Sequence, residues 1–204
     1  MILIYITFLL LFLIIFNIKK KDKFSSSKLE ILSESFLINS AIPQKHLCSE
    51  KGGSDLTPEL SWNHPENNLI KSYALTMEDL DSDHARDGNW THWVVQSILA
   101  TNDSSGNITK NVTFPSMITE GKKNILVSEE QREVSQGINS WDKIGYKGPC
   151  PPKGKAHRYL ITIYALDKVI VCENCTKSVL LDNIKGHIVY FGSYRGTAQT
   201  FQDM

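Results

Sequence analysis

Residues 158–166 limit the fold more than any other stretch of the chain. With side chains alternating across a strand, Tyr159, Ile161, Ile163 and Ala165 share one face, and Leu160, Thr162, Tyr164 and Leu166 the other. Neither face suits water, so this segment reads as a central strand buried on both sides. Residues 72–77, where Tyr73, Leu75 and Met77 share a face, and residues 92–99, with the paired Val94 and Val95, read as further strands. Stretches rich in Gly, Pro, Asn, Asp and Ser separate them, at residues 48–58, 79–89, 101–113 and 145–154. Helix is scarce: Thr176 is an N-cap before Val179, Leu180 and Ile184, with Gly186 as the stop, and a last strand over 187–194 follows. The pattern predicts a mainly β domain, an antiparallel two-sheet Greek-key-like β-sandwich with one or two accessory helices.

That domain is expected over residues 36–204. Residues 1–16 are almost entirely Ile, Leu, Phe and Tyr, and Lys19, Lys20, Lys21 and Lys23 follow. Residues 1–18 therefore read as a signal peptide or a membrane anchor, too short for a comfortable span and without an evident cleavage site, so both readings stay open. Residues 19–35, rich in Lys and Ser, read as a linker that buries too little to order itself. The lysines favour a cytosol-facing domain. Five glycosylation patterns, at Asn89, Asn102, Asn107, Asn111 and Asn174, favour a lumenal or extracellular one, secreted or membrane-anchored, and outweigh the charge bias.

Acidic and basic side chains cancel, and the pI is about 7.0, so no net field draws in nucleic acid. The four cysteines, Cys48, Cys150, Cys172 and Cys175, fit two disulfides in an oxidising compartment, and three pairings are open. Cys172 and Cys175 also have redox or half-zinc spacing, but the second ligand pair that a zinc site needs is missing.

Three loops carry unusual chemistry. One is an acidic turn, Glu78, Asp79, Leu80, Asp81, Ser82 and Asp83, which alone would be a solvated turn. The second sets His92 between Trp90 and Trp93 at the mouth of a strand, where a lone histidine is ordinarily a core residue bonded to a carbonyl. The third, residues 145–159, is a Gly/Pro loop of fixed shape leading to His157 and Tyr159, whose Gly148 and Cys150 amides are expected to point at one place.

Together with Ile42-Pro43, residues 57–62, residues 71–75, residues 137–140, residues 164–167 and residues 186–188, these loops resemble the phosphatidylethanolamine-binding proteins, in particular their bacterial and archaeal branch related to Raf kinase inhibitor proteins. The resemblance spans residues 36–195. It implies a large antiparallel sheet packed on a smaller one, with a shallow pocket for phosphate, acetate or a phospholipid head group. The matching positions are Asp79, Asp81, His92, Gly148, Pro149, Cys150, His157 and Tyr159. Where the family reads Asp-Pro-Asp-Ala-Pro, this chain keeps the carboxylates and loses both prolines, which implies a trans and looser turn.

The resemblance implies a binding module for a small anionic ligand or phospholipid head group, with regulation of a partner kinase or protease as the associated role. No catalytic residue, cofactor or metal is expected. An alternative is a serine protease or kinase inhibitor acting through its loops, with the pocket vestigial. A third reading is a phosphomonoester hydrolase using Asp79, His92 and His157. It is disfavoured because no Ser or Cys sits in an activating motif.

Overall fold

The computed structural model describes residues 28–63, 67–84, 88–100, 112–114, 124–127 and 132–200. Two antiparallel sheets form the molecule. The larger has the order β6(Asn124–Val127), β7(Arg132–Gln136), β4(Trp90–Leu99), β3(Ser72–Asp79), β8(Ala156–Leu166), β9(Ile188–Gln199). The smaller is β1(Glu30–Leu32), β2(Leu60–Asn63), β5(Val112–Phe114). One α-helix occurs among the described residues, α1(Lys177–Ile184). Thr176 caps it, its side chain accepting from the Val179 amide at 3.3 Å.

The two apolar faces of β8 have separate destinations. Tyr159, Ile161, Ile163 and Ala165 join Tyr73, Leu75, Met77, Trp93 and Trp62 in the core between the sheets. Leu166 joins Ala74, Val94, Leu180 and Ile184 in a second core beneath α1. Each fully buried large side chain contributes roughly 1.5–3 kcal/mol, so covering both faces is what makes this strand central. Beside it, β3 is buried along its whole length, which places Asp79 and Glu78 in the interior on opposite faces.

The linker expected over residues 19–35 is corrected at its end. Leu29 and Ile31 are buried, β1 pairs with β2, and the Leu29 amide donates to the Phe191 carbonyl at 3.1 Å. These few apolar residues alternate in a strand, so they order once the small sheet gives them a partner. The leading segment 1–18, the start of the linker, and the sequons at Asn102, Asn107 and Asn111 lie outside the described residues. Asn174 is exposed, and Asn89 is half-buried.

Candidate functional site

A cavity of about 330 Å³ opens at the ends of β3, β4 and β8. Its walls are Asp79 and the following Ser82, Asp83 and His84; Trp90 and His92; Trp141; and Cys150, Pro152 and His157. The three loops singled out in the sequence meet here, joined by a fourth that carries Trp141.

His92 is aimed by a β-bulge. Met77 pairs with Trp93 and Glu78 with Thr91, so His92 is the extra residue on its strand. Such a bulge re-aims a side chain at a strand end. Trp93 consequently serves the core, where its indole donates to Gln136 Oε1 at 2.7 Å, and the wall indole on this strand is Trp90. The His92 Nδ1–H donates to the Lys147 carbonyl at 2.7 Å, while the Lys147 amide donates back to the His92 carbonyl at 3.0 Å. Burial drives the imidazole down to about 4, so the ring is neutral at physiological pH and Nε2 carries a lone pair.

His157 is held differently. It is 4 % exposed, and its Nδ1–H donates to Asp79 Oδ2 at 2.7 Å, leaving Nε2 without a protein partner. The other Asp79 oxygen accepts from the Asp81 amide at 2.8 Å. His46 also has a bare Nε2, but it is not among the residues that line this cavity.

The acidic turn is trans among the described residues and is not loose. Besides the bond from Asp81, the Leu80 amide donates to the Arg158 carbonyl at 2.9 Å and the Arg158 amide to Asp81 Oδ2 at 2.7 Å. These bonds restrain the turn where the family has prolines.

Several expected ligand contacts lie outside the cavity lining. Asp81 turns to the surface, where the Arg158 guanidinium takes both of its oxygens and holds the carboxyl down to about 2. The Gly148 amide donates to Asp55 Oδ1 at 2.8 Å instead of facing the cup. Glycine is required there because a Cβ would lie 2.5 Å from the His46 carbonyl oxygen. The Pro149 carbonyl accepts from the Cys48 amide at 3.0 Å. Tyr159 packs edge-on against His92, ring centres 5.2 Å apart, behind the lining, and burial with the nearby Asp79 carboxylate pushes its phenol far up. Asp79, His92, Cys150 and His157 are therefore the expected residues that the fold brings to the cavity.

The Gly/Pro loop is fastened from outside. Cys150 is disulfide-bonded to Cys48, and Lys147 Nζ donates to Glu50 Oε2 at 2.9 Å and Asp55 Oδ2 at 3.3 Å. The second disulfide joins Cys172 to Cys175. Cys48, Cys150 and Glu50 lie close enough to resemble a metal cluster, but both sulfurs are spent on each other.

Sequence reasoning missed Trp141, Ser82, Asp83, His84 and Pro152 as cavity walls. Trp141 stacks edge-on with Trp90 at 5.1 Å and His92 at 5.0 Å. Its loop is shaped by Asn139, whose Oδ1 accepts from the amides of Trp141 and Lys143 and whose Nδ2 donates to the Gly145 carbonyl. The sequence signal was an indole directly after the Gly137–Ser140 motif.

Comparison with known proteins agrees with this architecture. The family model described as phosphatidylethanolamine-binding protein matches residues 32–199. A UPF0098 protein of Chlamydia muridarum is 34% identical over 172 residues, 83% of this chain and 97% of the relative. One from Methanothermobacter thermautotrophicus is 34% identical over 149 residues, 72% of this chain and 83% of the relative. The crystal structure of a putative phosphatidylethanolamine-binding protein homologue from Chlamydia trachomatis superposes with a TM-score of 0.64 at 30% identity, covering 87% of this chain and 100% of that one. The E. coli protein YbcL shares the fold, with a TM-score of 0.67 at 23% identity, over 85% of this chain and 99% of that one. The chain belongs to the phosphatidylethanolamine-binding protein family.

Proposed function

We propose that the cavity binds a small oxyanion that can carry one proton, inorganic phosphate or a phosphomonoester, and that the protein acts by binding rather than by turnover. The observation that carries this reading is the His157 Nε2, buried in a cavity wall with no protein partner while Asp79 holds the other side of the ring. With Nδ1 committed to the Asp79 carboxylate, His157 leaves Nε2 open to a phosphate oxygen. The lone pair on neutral His92 suits a P–OH hydrogen instead. A phosphate that keeps a proton can donate to that lone pair, and sulfate, fully ionised at neutral pH, cannot.

Cys150 is committed to a disulfide and supplies no thiolate, which supports a binding role over a nucleophilic one. The rim residues Ser82, Asp83 and Pro152 give a regulated partner protein a surface that changes with occupancy of the cup. Pairing of all four cysteines supports placement of the domain in an oxidising compartment, secreted or held on a membrane by its leading segment.

The test is thermal melting of the full chain in detergent with phosphate, phosphoethanolamine or sulfate. At a ligand concentration about one hundred times Kd, the two phosphates stabilise by roughly 2.7 kcal/mol. Sulfate gives markedly less, and His157→Ala abolishes the phosphate effect. Equal shifts with sulfate, or an undiminished shift in the variant, would refute the reading.

A further inference from the structure

We propose that the end of the sandwich opposite the cup rests on the surface of the bilayer that holds the apolar N-terminal segment. The inference depends on residues 1–18 being a retained anchor, and not on which anion the cup takes.

Three chain segments meet at that end. Ser72 begins β3 and pairs with Leu99, the last residue of β4, and with Leu166, the last of β8. The Lys71 amide donates to the Leu166 carbonyl and the Ala100 amide to the Lys71 carbonyl. The segment after β8 is tied alongside, Ser72 Oγ donating to the Lys168 carbonyl and Ser97 Oγ to the Ile170 carbonyl. Each segment exposes aliphatic side chains there: Leu69, Leu99, Val169 and Val171, the last 77% exposed. Grouped aliphatics of this kind mark an interaction surface more than single exposed ones do.

The direction of the chain names the occupant. Ile42 bonds to β9 at Thr197, Asn39 at Arg195 and Leu29 at Phe191, so the chain traced backwards climbs β9 away from the cup. It is heading for the aliphatic end when it passes Leu29. Upstream lie the lysines at 19–23 and the apolar run before them. Among the described residues, exposed Lys28, Lys71 and Lys168 supply cations at or near the aliphatic end, with Asp167 as a local carboxylate paired to His187. Aliphatic tips ringed by lysine fit the interface of a bilayer containing anionic lipid.

The cup then faces away from that bilayer. From Ser72 to Asp79, β3 spans about 23 Å at the rise of a strand, so a head group still seated in the tethering leaflet does not reach His157. The ligand arrives from solution or from an opposing surface.

The experiment uses the full chain in vesicles of phosphatidylcholine with a minority of phosphatidylserine. A benzophenone-bearing residue replaces Val171, Leu69 or, at the cup rim, Ser82, and lipid adducts are counted after illumination. Positions 171 and 69 are expected to give at least about fivefold more adduct than position 82, as for side chains seated in the interface. Val171→Asp is expected to lower the adduct at position 69 severalfold, with melting unchanged as a check on folding. Equal adducts at all three positions, none at 171 and 69, or recovery of a chain lacking its first residues overturns the proposal. Loss of phosphate binding in His157→Ala with the adduct pattern intact separates this inference from the reading of the cup.

Discussion

Adjacent residues of β3 carry two buried carboxylates on opposite faces of one sheet, one bonded to an ammonium and the other to an imidazole. Glu78, on the helix side, accepts from Lys177 Nζ at 2.5 Å, and both side chains are close to nine-tenths buried. Asp79, on the cup side, accepts from His157 Nδ1 at 2.7 Å with similar burial. The distances and burial match, yet the consequences differ. An ammonium is a compact charge that closes on its carboxylate beneath the capped start of α1. An imidazole has two nitrogens on opposite sides of a rigid ring, and when one is anchored the other remains for something else. A buried pair is thus scaffolding when it closes on itself, and a candidate binding group when it leaves a polar atom without a partner on a residue that lines a cavity.

Lys177→Ala presses this contrast hardest. It strands Glu78 in the interior and is expected to cost about 3–5 kcal/mol of stability, while phosphate affinity of the folded protein stays unchanged. Chemical denaturation alongside phosphate titration measures both, and a large affinity loss would mean that the two faces are coupled.

Acidification probes the cup side next. His92 titrates near 4 when folded against 6.5 when unfolded, so between those values the unfolded chain binds the extra proton. Stability is therefore lost as pH falls from about 6.5 to about 4, by up to roughly 3 kcal/mol for this one ring. Burial depresses His46 in the same direction, so the measurement that isolates His92 is a melting profile of His92→Gln, which should be the flatter one over that window.

A smaller effect is expected from Trp141→Ala. Removing the edge contacts to Trp90 and His92 should weaken phosphate binding by about 1 kcal/mol, roughly fivefold in Kd, with little change in melting. An unchanged Kd would show that the aromatic wall does not orient His92. Asp81→Asn should do least: the amide oxygen of Asn still accepts from the Arg158 amide, the ion pair with the guanidinium that it loses is at the surface, and neither melting nor phosphate titration is expected to move resolvably.

Much of the fold was legible because its strands are strongly patterned. The readings at 72–77, 92–99 and 158–166 lie inside β3, β4 and β8, and the Thr176 cap and the stop near Gly186 bracket α1. β1 was not legible, because Glu30–Leu32 is only three residues long and gains its apolar contacts from β2 and β9. Of the cavity walls, Asp79, His92, Cys150 and His157 were placed together by the resemblance to the family, while residue type and loop position alone left each with a bland structural reading. Asp81 could not be separated from Asp79, since both are carboxylates in one turn and only the position of Arg158 draws one outward.

By itself the sequence determined which segments become central strands, where the helix starts, and which loops hold imidazole and carboxylate, because alternation, capping and turn chemistry act over a few neighbouring residues. Tertiary structure alone decided that His92 leaves the register of β4, that Gly148 serves close packing and an aspartate, and that Trp141 completes the wall. Each of these depends on atoms dozens of residues away, and a local pattern has no knowledge of which distant backbone will fill the space beside it.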